Sequence, residues 1–194
     1  MIIIVAITGA SGAIYGIRLL EVLSSIKEVE THLVISQAGE VTISQETDWQ
    51  VSEVKKLADY CYDNSEIGAR LCSGSFKRDA MIVAPCSMKT LSALANSYAD
   101  NLVTRAGDVT LKEKGRLVLL VRETPLHLGH LKNMEWLAEM GAVIMPPVPA
   151  FYHRPITVDD IVNHTVGKAL DIIGIEHDLL QRWAGPTDRG GGQP

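Results

Sequence analysis

Three observations predict an α/β fold, a three-layer α/β/α domain on a mainly parallel sheet. Short β-rich runs alternate with helical stretches, as strands joined by crossover helices do. Most of the strand runs are apolar throughout, as expected when helices cover both faces of a sheet; a half-exposed strand would alternate. Twice an apolar strand stops at a turn that opens a helix, the corner at which such sheets collect ligands. A chain of 194 residues with 46% hydrophobic content buries one substantial core, so one domain is expected.

The elements follow in order. Ile2-Ile-Ile-Val-Ala-Ile-Thr8 reads as the first strand, and Gly9-Ala-Ser-Gly-Ala-Ile-Tyr-Gly16 turns it into a helix over 12–25. Further strands are predicted at 31–36, 79–84, 116–122 and 142–146, with helices near 50–60, 87–95, 101–114, 130–140 and 158–173. Gly141 closes the helix carrying Met134, Leu137 and Met140, and Pro146-Pro-Val-Pro149 forces an extended exit from the last strand. No internal repeat is present. The segment 186–194, with Gly190-Gly-Gly-Gln-Pro194, cannot bury enough surface to order itself and is expected to be a disordered tail behind a domain over 1–185.

A net charge of −5, with Lys and Arg scattered singly or in short pairs, argues against a nucleic-acid partner. Residues 2–7 are apolar but too few to span a bilayer, and no basic secretory start follows Met1, so a cytoplasmic protein with no membrane partner is expected. Cys61, Cys72 and Cys86 are odd in number and widely spaced, fitting neither a disulfide framework nor a zinc site. His127, His130 and His153 lack metal-ligand spacing within one element, so no metal is expected.

Gly9 and Gly12 allow a tight turn and close approach of a ligand phosphate to the next helix, although they also suit close helix-on-strand packing. The spacing is not Gly-x-Gly-x-x-Gly, and the second strand ends at Ser36 where a ribose-binding acid would stand, which argues against NAD. Ser11 can hold a phosphate, relay a proton or cap the helix. At the second corner, Ala84-Pro-Cys-Ser-Met-Lys-Thr90, the side chains of Ser87, Lys89 and Thr90 offer two hydroxyls and a cation, suited to a polar ring such as an isoalloxazine edge or to helix capping. Arg122-Glu-Thr-Pro125 places opposite charges at a strand end, facing the ligand crevice. Arg105 and Lys112 share one helix face, and Tyr152 with Arg154 could supply a phenol and a guanidinium to a phosphate.

These motifs, with Glu46-Thr-Asp48, Ser73-Gly-Ser75, Arg105-Ala-Gly-Asp-Val-Thr-Leu-Lys-Glu113 and Pro146 to Pro155, closely resemble the UbiX-type flavin prenyltransferases over residues 2 to about 185. The resemblance implies a Rossmann-like flavoprotein fold shared with flavin-dependent cysteine decarboxylases. It implies transfer of a dimethylallyl group from dimethylallyl monophosphate to N5 and C6 of reduced FMN, the prenylated FMN then serving a UbiD-type aromatic acid decarboxylase. It also implies a homododecamer with sites at subunit boundaries. By position, Gly9, Ala10, Ser11, Ser36, Ser87, Met88, Lys89, Thr90 and Arg122 would form the FMN set. Lys112, Arg122, Glu123, Tyr152 and Lys168 would surround the prenyl phosphate, and Ser11, Glu46 and Glu123 would serve catalysis. Lys168 stands where many relatives have Arg, which keeps the charge and loses the two-pronged grip. Glu66-Ile-Gly-Ala-Arg70 lacks a Trp that some relatives carry.

The chemistry is consistent with this assignment. Breaking an allylic C–O bond leaves a carbocation and a phosphate dianion, so cations and a phenol should surround the phosphate while a π surface faces the carbon fragment. Two alternatives are an FMN-dependent decarboxylase acting directly on a phenolic or aromatic acid, and a non-catalytic flavin carrier. The cysteine-specific decarboxylases carry Pro-x-Met-Asn, where this chain has Pro85-Cys-Ser-Met88.

Overall fold

The computed structural model describes residues 1–180 and Arg182; the predicted tail at 186–194 lies outside them. Among the described residues six strands form one parallel sheet: β1 (Ile2–Ile7), β2 (Glu30–Ile35), β3 (Tyr60–Asp63), β4 (Ala80–Cys86), β5 (Arg116–Val121) and β6 (Val143–Ile144). Their order is β3-β2-β1-β4-β5-β6, so the chain reverses its direction of travel across the sheet between β1 and β4. A crevice outside the carboxyl ends of those two strands is where a doubly wound sheet binds ligands.

Among the described residues seven α-helices accompany the sheet: α1 (Ala13–Ser24), α2 (Gln37–Glu46), α3 (Val51–Lys55), α4 (Met88–Ala95), α5 (Leu102–Lys112), α6 (Leu128–Glu139) and α7 (Val158–Ile173). Side chains of β1 alternate between two cores. Ile3, Val5 and Ile7 pack with Leu20 and Ile17 of α1 and Val166 and Leu170 of α7, whereas Ile4 and Ala6 pack with Leu91 of α4, Ala106 of α5 and Leu137 of α6. Both faces are buried, which is why these strands are apolar at every position. The three-layer prediction holds, and the sheet is wholly parallel.

Four elements differ from the sequence reading. Residues 37–46 form α2, which was not predicted, because only Gly39 and Ile43 of its ten residues are buried and no apolar stripe marks it. The predicted helix over 50–60 ends at Lys55, and Tyr60–Asp63 forms the edge strand β3, short and largely exposed. The last strand is also shorter than predicted, two residues rather than 142–146.

Glycine shapes the first corner by sterics. Gly12 has φ +101°, a left-handed backbone that a side chain would strain. A Cβ on Gly16 would lie 2.3 Å from the Ala84 carbonyl oxygen, so α1 crosses β4 at a distance only glycine permits.

Candidate functional site

At the switch point Thr8 ties the ends of β1 and β4 together. Its hydroxyl donates to the Pro85 carbonyl at 2.7 Å and accepts from the Ser87 amide at 2.9 Å, and its own amide donates to Pro85 at 3.3 Å. Above this knot lies a cleft of about 500 Å³, lined by Thr8, Gly9, Ser36, Gln37, Ala38, Asn64, Ser87, Lys89, Thr90 and the first turn of α5.

Three helices begin in that cleft. Ser36 caps α2, its Oγ accepting from the Gly39 amide at 3.0 Å, and Ser87 caps α4, its Oγ accepting from Thr90 at 3.3 Å. Asn101 caps α5, accepting from Thr104 at 3.1 Å, while the Asn64 side chain takes the Val103 amide at 3.0 Å. Each N-terminus carries partial positive charge and unpaired backbone donors, so their convergence makes an anion site, to which exposed Lys89 adds a full charge. A Cβ on Gly9 would lie 2.3 Å from that of Ala38, so glycine here keeps the floor of the cleft beside α2. Volume, donors and cation suit a phosphate joined to a flat polar ring, the shape of FMN.

The glycine-rich turn itself is occupied differently from the expectation. The Gly12 amide donates to Glu46 Oε2 at 2.7 Å, so a carboxylate from the end of α2 sits where a phosphate was predicted at the start of α1. The helix starts that face the cleft are those of α2, α4 and α5. The same contact brings Glu46 to the Ser11 turn, and the cap residue of α1 is Gly12, so Ser11 is left out of the capping role. Met88 packs its half-buried side chain against the core under α4, and Ala10 is buried in the turn, its amide donating to Thr8. Burial raises the Cys86 thiol to about 12, which keeps it protonated and removes it as a nucleophile.

Arg122 follows β5 directly and its amide donates to the Cys86 carbonyl at 3.2 Å, placing its exposed side chain beside the second corner. Glu123 adjoins it, its Oε1 accepting from the Thr124 amide at 3.0 Å. The expected ring of cations is not assembled within one copy. Lys112 ends α5, which descends from the cleft to the opposite edge of the sheet before β5 begins; it pairs there with Glu113 against the Ser73-Gly-Ser75 loop. Lys168 lies in the second half of α7, one turn before Ile172, whose carbonyl accepts from Arg116 at the start of β5. Tyr152 stands with that group, its Oη 2.9 Å from His164 Nε2. Parallel strands require each crossover to return the chain to the far edge, and spacing in sequence does not report it.

Thr8, Gln37, Ala38, Asn64, Asn101 and Thr104 were missed. Capping residues before a helix start signal three of these corners, but α2 had to be recognised first. Among the described residues no group of three or more His, Cys, Asp or Glu is placed to hold a metal ion, and no helix is long and apolar enough to cross a membrane.

Residues 1–172 match the model of the family described as Flavoprotein. The chain is 57% identical over 185 residues to the flavin prenyltransferase UbiX of Escherichia coli (strain K12), covering 94% of this chain and 98% of that one. It matches the crystal structure of a dodecameric FMN-dependent UbiX-like decarboxylase from Escherichia coli O157:H7 with TM-score 0.94 and 50% identity, covering 95% and 100% of the two chains. It matches AnUbiX (PadA1), solved in complex with FMN and dimethylallyl pyrophosphate, with TM-score 0.94 and 47% identity, covering 96% and 98%. Matched by the family model over residues 1–172 and by relatives alike over nearly the whole chain, the protein belongs to the flavoprotein family and, within it, to the UbiX flavin prenyltransferases.

Proposed function

We propose that the chain binds reduced FMN in the cleft over β1 and β4 and joins to its N5 and C6 the dimethylallyl group of dimethylallyl monophosphate. The observation that carries this reading is the convergence of three helix N-termini, with Ser36, Ser87 and Lys89, at the switch point of a flavoprotein sheet. When bound, reduced FMN supplies the nucleophilic atoms and an electron-rich face for the allylic fragment.

The chain's residues hold and neutralise. Gly9, Ala10, Ser11, Ser36, Ser87, Met88, Lys89 and Thr90 line the flavin side, with Arg122 at the boundary between flavin and prenyl phosphate. Arg122, Lys112, Tyr152 and Lys168 offset the charge that grows on the departing phosphate. Glu123 protonates that phosphate or orients Arg122, and Glu46 with Ser11 handles protons at the turn. Because Arg122, Lys112 and the Tyr152–Lys168 pair occupy three places on one copy, the complete site forms where copies meet; the dodecameric relative supports this. By the family resemblance the product passes to a UbiD-type decarboxylase in the cytoplasm.

Anaerobic incubation of the purified protein with reduced FMN and dimethylallyl monophosphate, followed by mass spectrometry of the released flavin, tests the reading. One added C5 unit is expected. Unchanged FMN on a protein that binds flavin would overturn it. A relative described as a decarboxylase keeps direct decarboxylation as the second reading; it requires CO2 release from a phenolic acid by this chain alone.

A further inference from the structure

Around the second half of α7 one carboxylate collects two cations. Arg182 donates to Asp171 with both terminal nitrogens, Nη2 to Oδ1 at 2.8 Å and Nη1 to Oδ2 at 3.2 Å, a two-pronged geometry that fixes the guanidinium plane. Lys168 Nζ lies 3.6 Å from Oδ2, close enough to pair and too far to hydrogen-bond, which leaves its ammonium protons for another acceptor. His177 Nε2 reaches Oδ1 at 3.3 Å. Two full cations on one carboxylate leave about one positive charge uncompensated.

The same face of α7 carries His164 one turn before Lys168, and His164 Nε2 meets the Tyr152 phenol at 2.9 Å. Asp171 joins Arg182 to Lys168, which lies one turn from the His164 that meets the phenol. Phenol, ammonium and guanidinium thus stand on one strip of surface. Lys168 is a point charge and cannot grip two phosphate oxygens at once, whereas the guanidinium keeps further N–H donors after Asp171 has taken two.

We infer that Arg182 is a further anion-binding residue of the prenyl-phosphate half-site of Tyr152 and Lys168, with Asp171 as the positioning residue that holds both cations toward the leaving phosphate. The inference rests on the reading of Tyr152 and Lys168 as phosphate-binding. Arg182 supplies the two-pronged grip that the point charge of Lys168 cannot provide. The alternative is an exposed ion pair that only straps Arg182 to α7, as surface ion pairs commonly do with little effect on stability.

The test compares Arg182→Gln, Arg182→Lys and Lys168→Ala with the parent in the full-length, FMN-loaded protein. KM and kcat for dimethylallyl monophosphate are measured, together with calorimetric titration of inorganic phosphate, which reads the anion site without turnover. Arg182→Gln is expected to raise KM and the phosphate Kd about ten-fold with kcat changed less than about three-fold, Arg182→Lys recovering part of the loss and FMN affinity unchanged. If Arg182→Gln leaves both constants within about two-fold while Lys168→Ala raises them, Arg182 has no such role and the half-site stands. If neither substitution moves them, the half-site reading fails and the inference with it. A lowered Tm at unchanged phosphate Kd makes Arg182 a strap and overturns the inference.

Discussion

Glu46 does two jobs with one carboxylate. Its Oε2 accepts the Gly12 amide proton at 2.7 Å, placing negative charge at the positive end of α1, and it stands at the turn that carries Ser11. Glu46→Ala is expected to cost about 1 kcal/mol in urea unfolding and to lower the rate of prenyl transfer by at least about ten-fold; Glu46→Gln, which keeps an acceptor without the charge, should keep most of the stability and lose the rate. Equal loss of rate and stability in both variants would reduce Glu46 to a cap. Cys86 permits a second residue-scale prediction. With its thiol near 12, roughly one in ten thousand is ionised at pH 8, so a thiol reagent should leave Cys86 untouched in the native protein and label exposed Cys61 first. Rapid labelling of Cys86 under native conditions would contradict its burial.

The contrast between α1 and α2 shows what an element's sequence can reveal. Helix α1 has an apolar face, Ile17, Leu20 and Leu23, and is legible from that face; α2 buries almost nothing and is held by its cap and by its seat beside Gly9. Since Ser36 anchors α2 at the cleft, Ser36→Ala should cost about 1 kcal/mol and weaken FMN binding, read by fluorescence titration. Loss of stability with FMN affinity intact would place the flavin elsewhere. Gly16→Ala drives a Cβ against the Ala84 carbonyl, and about 1–3 kcal/mol of destabilisation is expected in thermal unfolding. The edge pair β2–β3 adds a pH dependence. His32 stacks with the rings of Tyr60 and Tyr62, and burial, with a smaller contribution from Arg70, pushes its pKa below the ordinary histidine value despite the opposing pull of Glu30. The native state then binds fewer protons than the unfolded chain. Stability contributed by neutral His32 is present above about pH 6.5 and is lost as pH falls toward the lower native value, so His32→Gln should flatten the urea midpoint against pH in that window.

At the scale of the whole molecule, if the three separated groups, Arg122 with Glu123, Lys112, and Tyr152 with Lys168, form one site as proposed, activity is expected to require assembly. Mixing inactive Lys112→Ala and Arg122→Ala subunits by unfolding and refolding should restore about a quarter of parental sites if the two residues come from different copies, and none if one copy supplies both. Helix α6 shows Leu128, Leu131 and Trp136 to solvent in the single copy, apolar surface of the kind that assembly covers. By itself the sequence determined the parallel α/β class, most element positions and the two strand-end corners, because apolar periodicity, helix caps and turn residues act over a few neighbours. Only the tertiary structure decided that the glycine turn is closed by Glu46, that α2, α4 and α5 converge on one cleft, and that Lys112 and Lys168 stand far from Arg122 in the same copy. Those outcomes depend on which edge of the sheet each crossover reaches, and a parallel strand order brings together residues that no local pattern links.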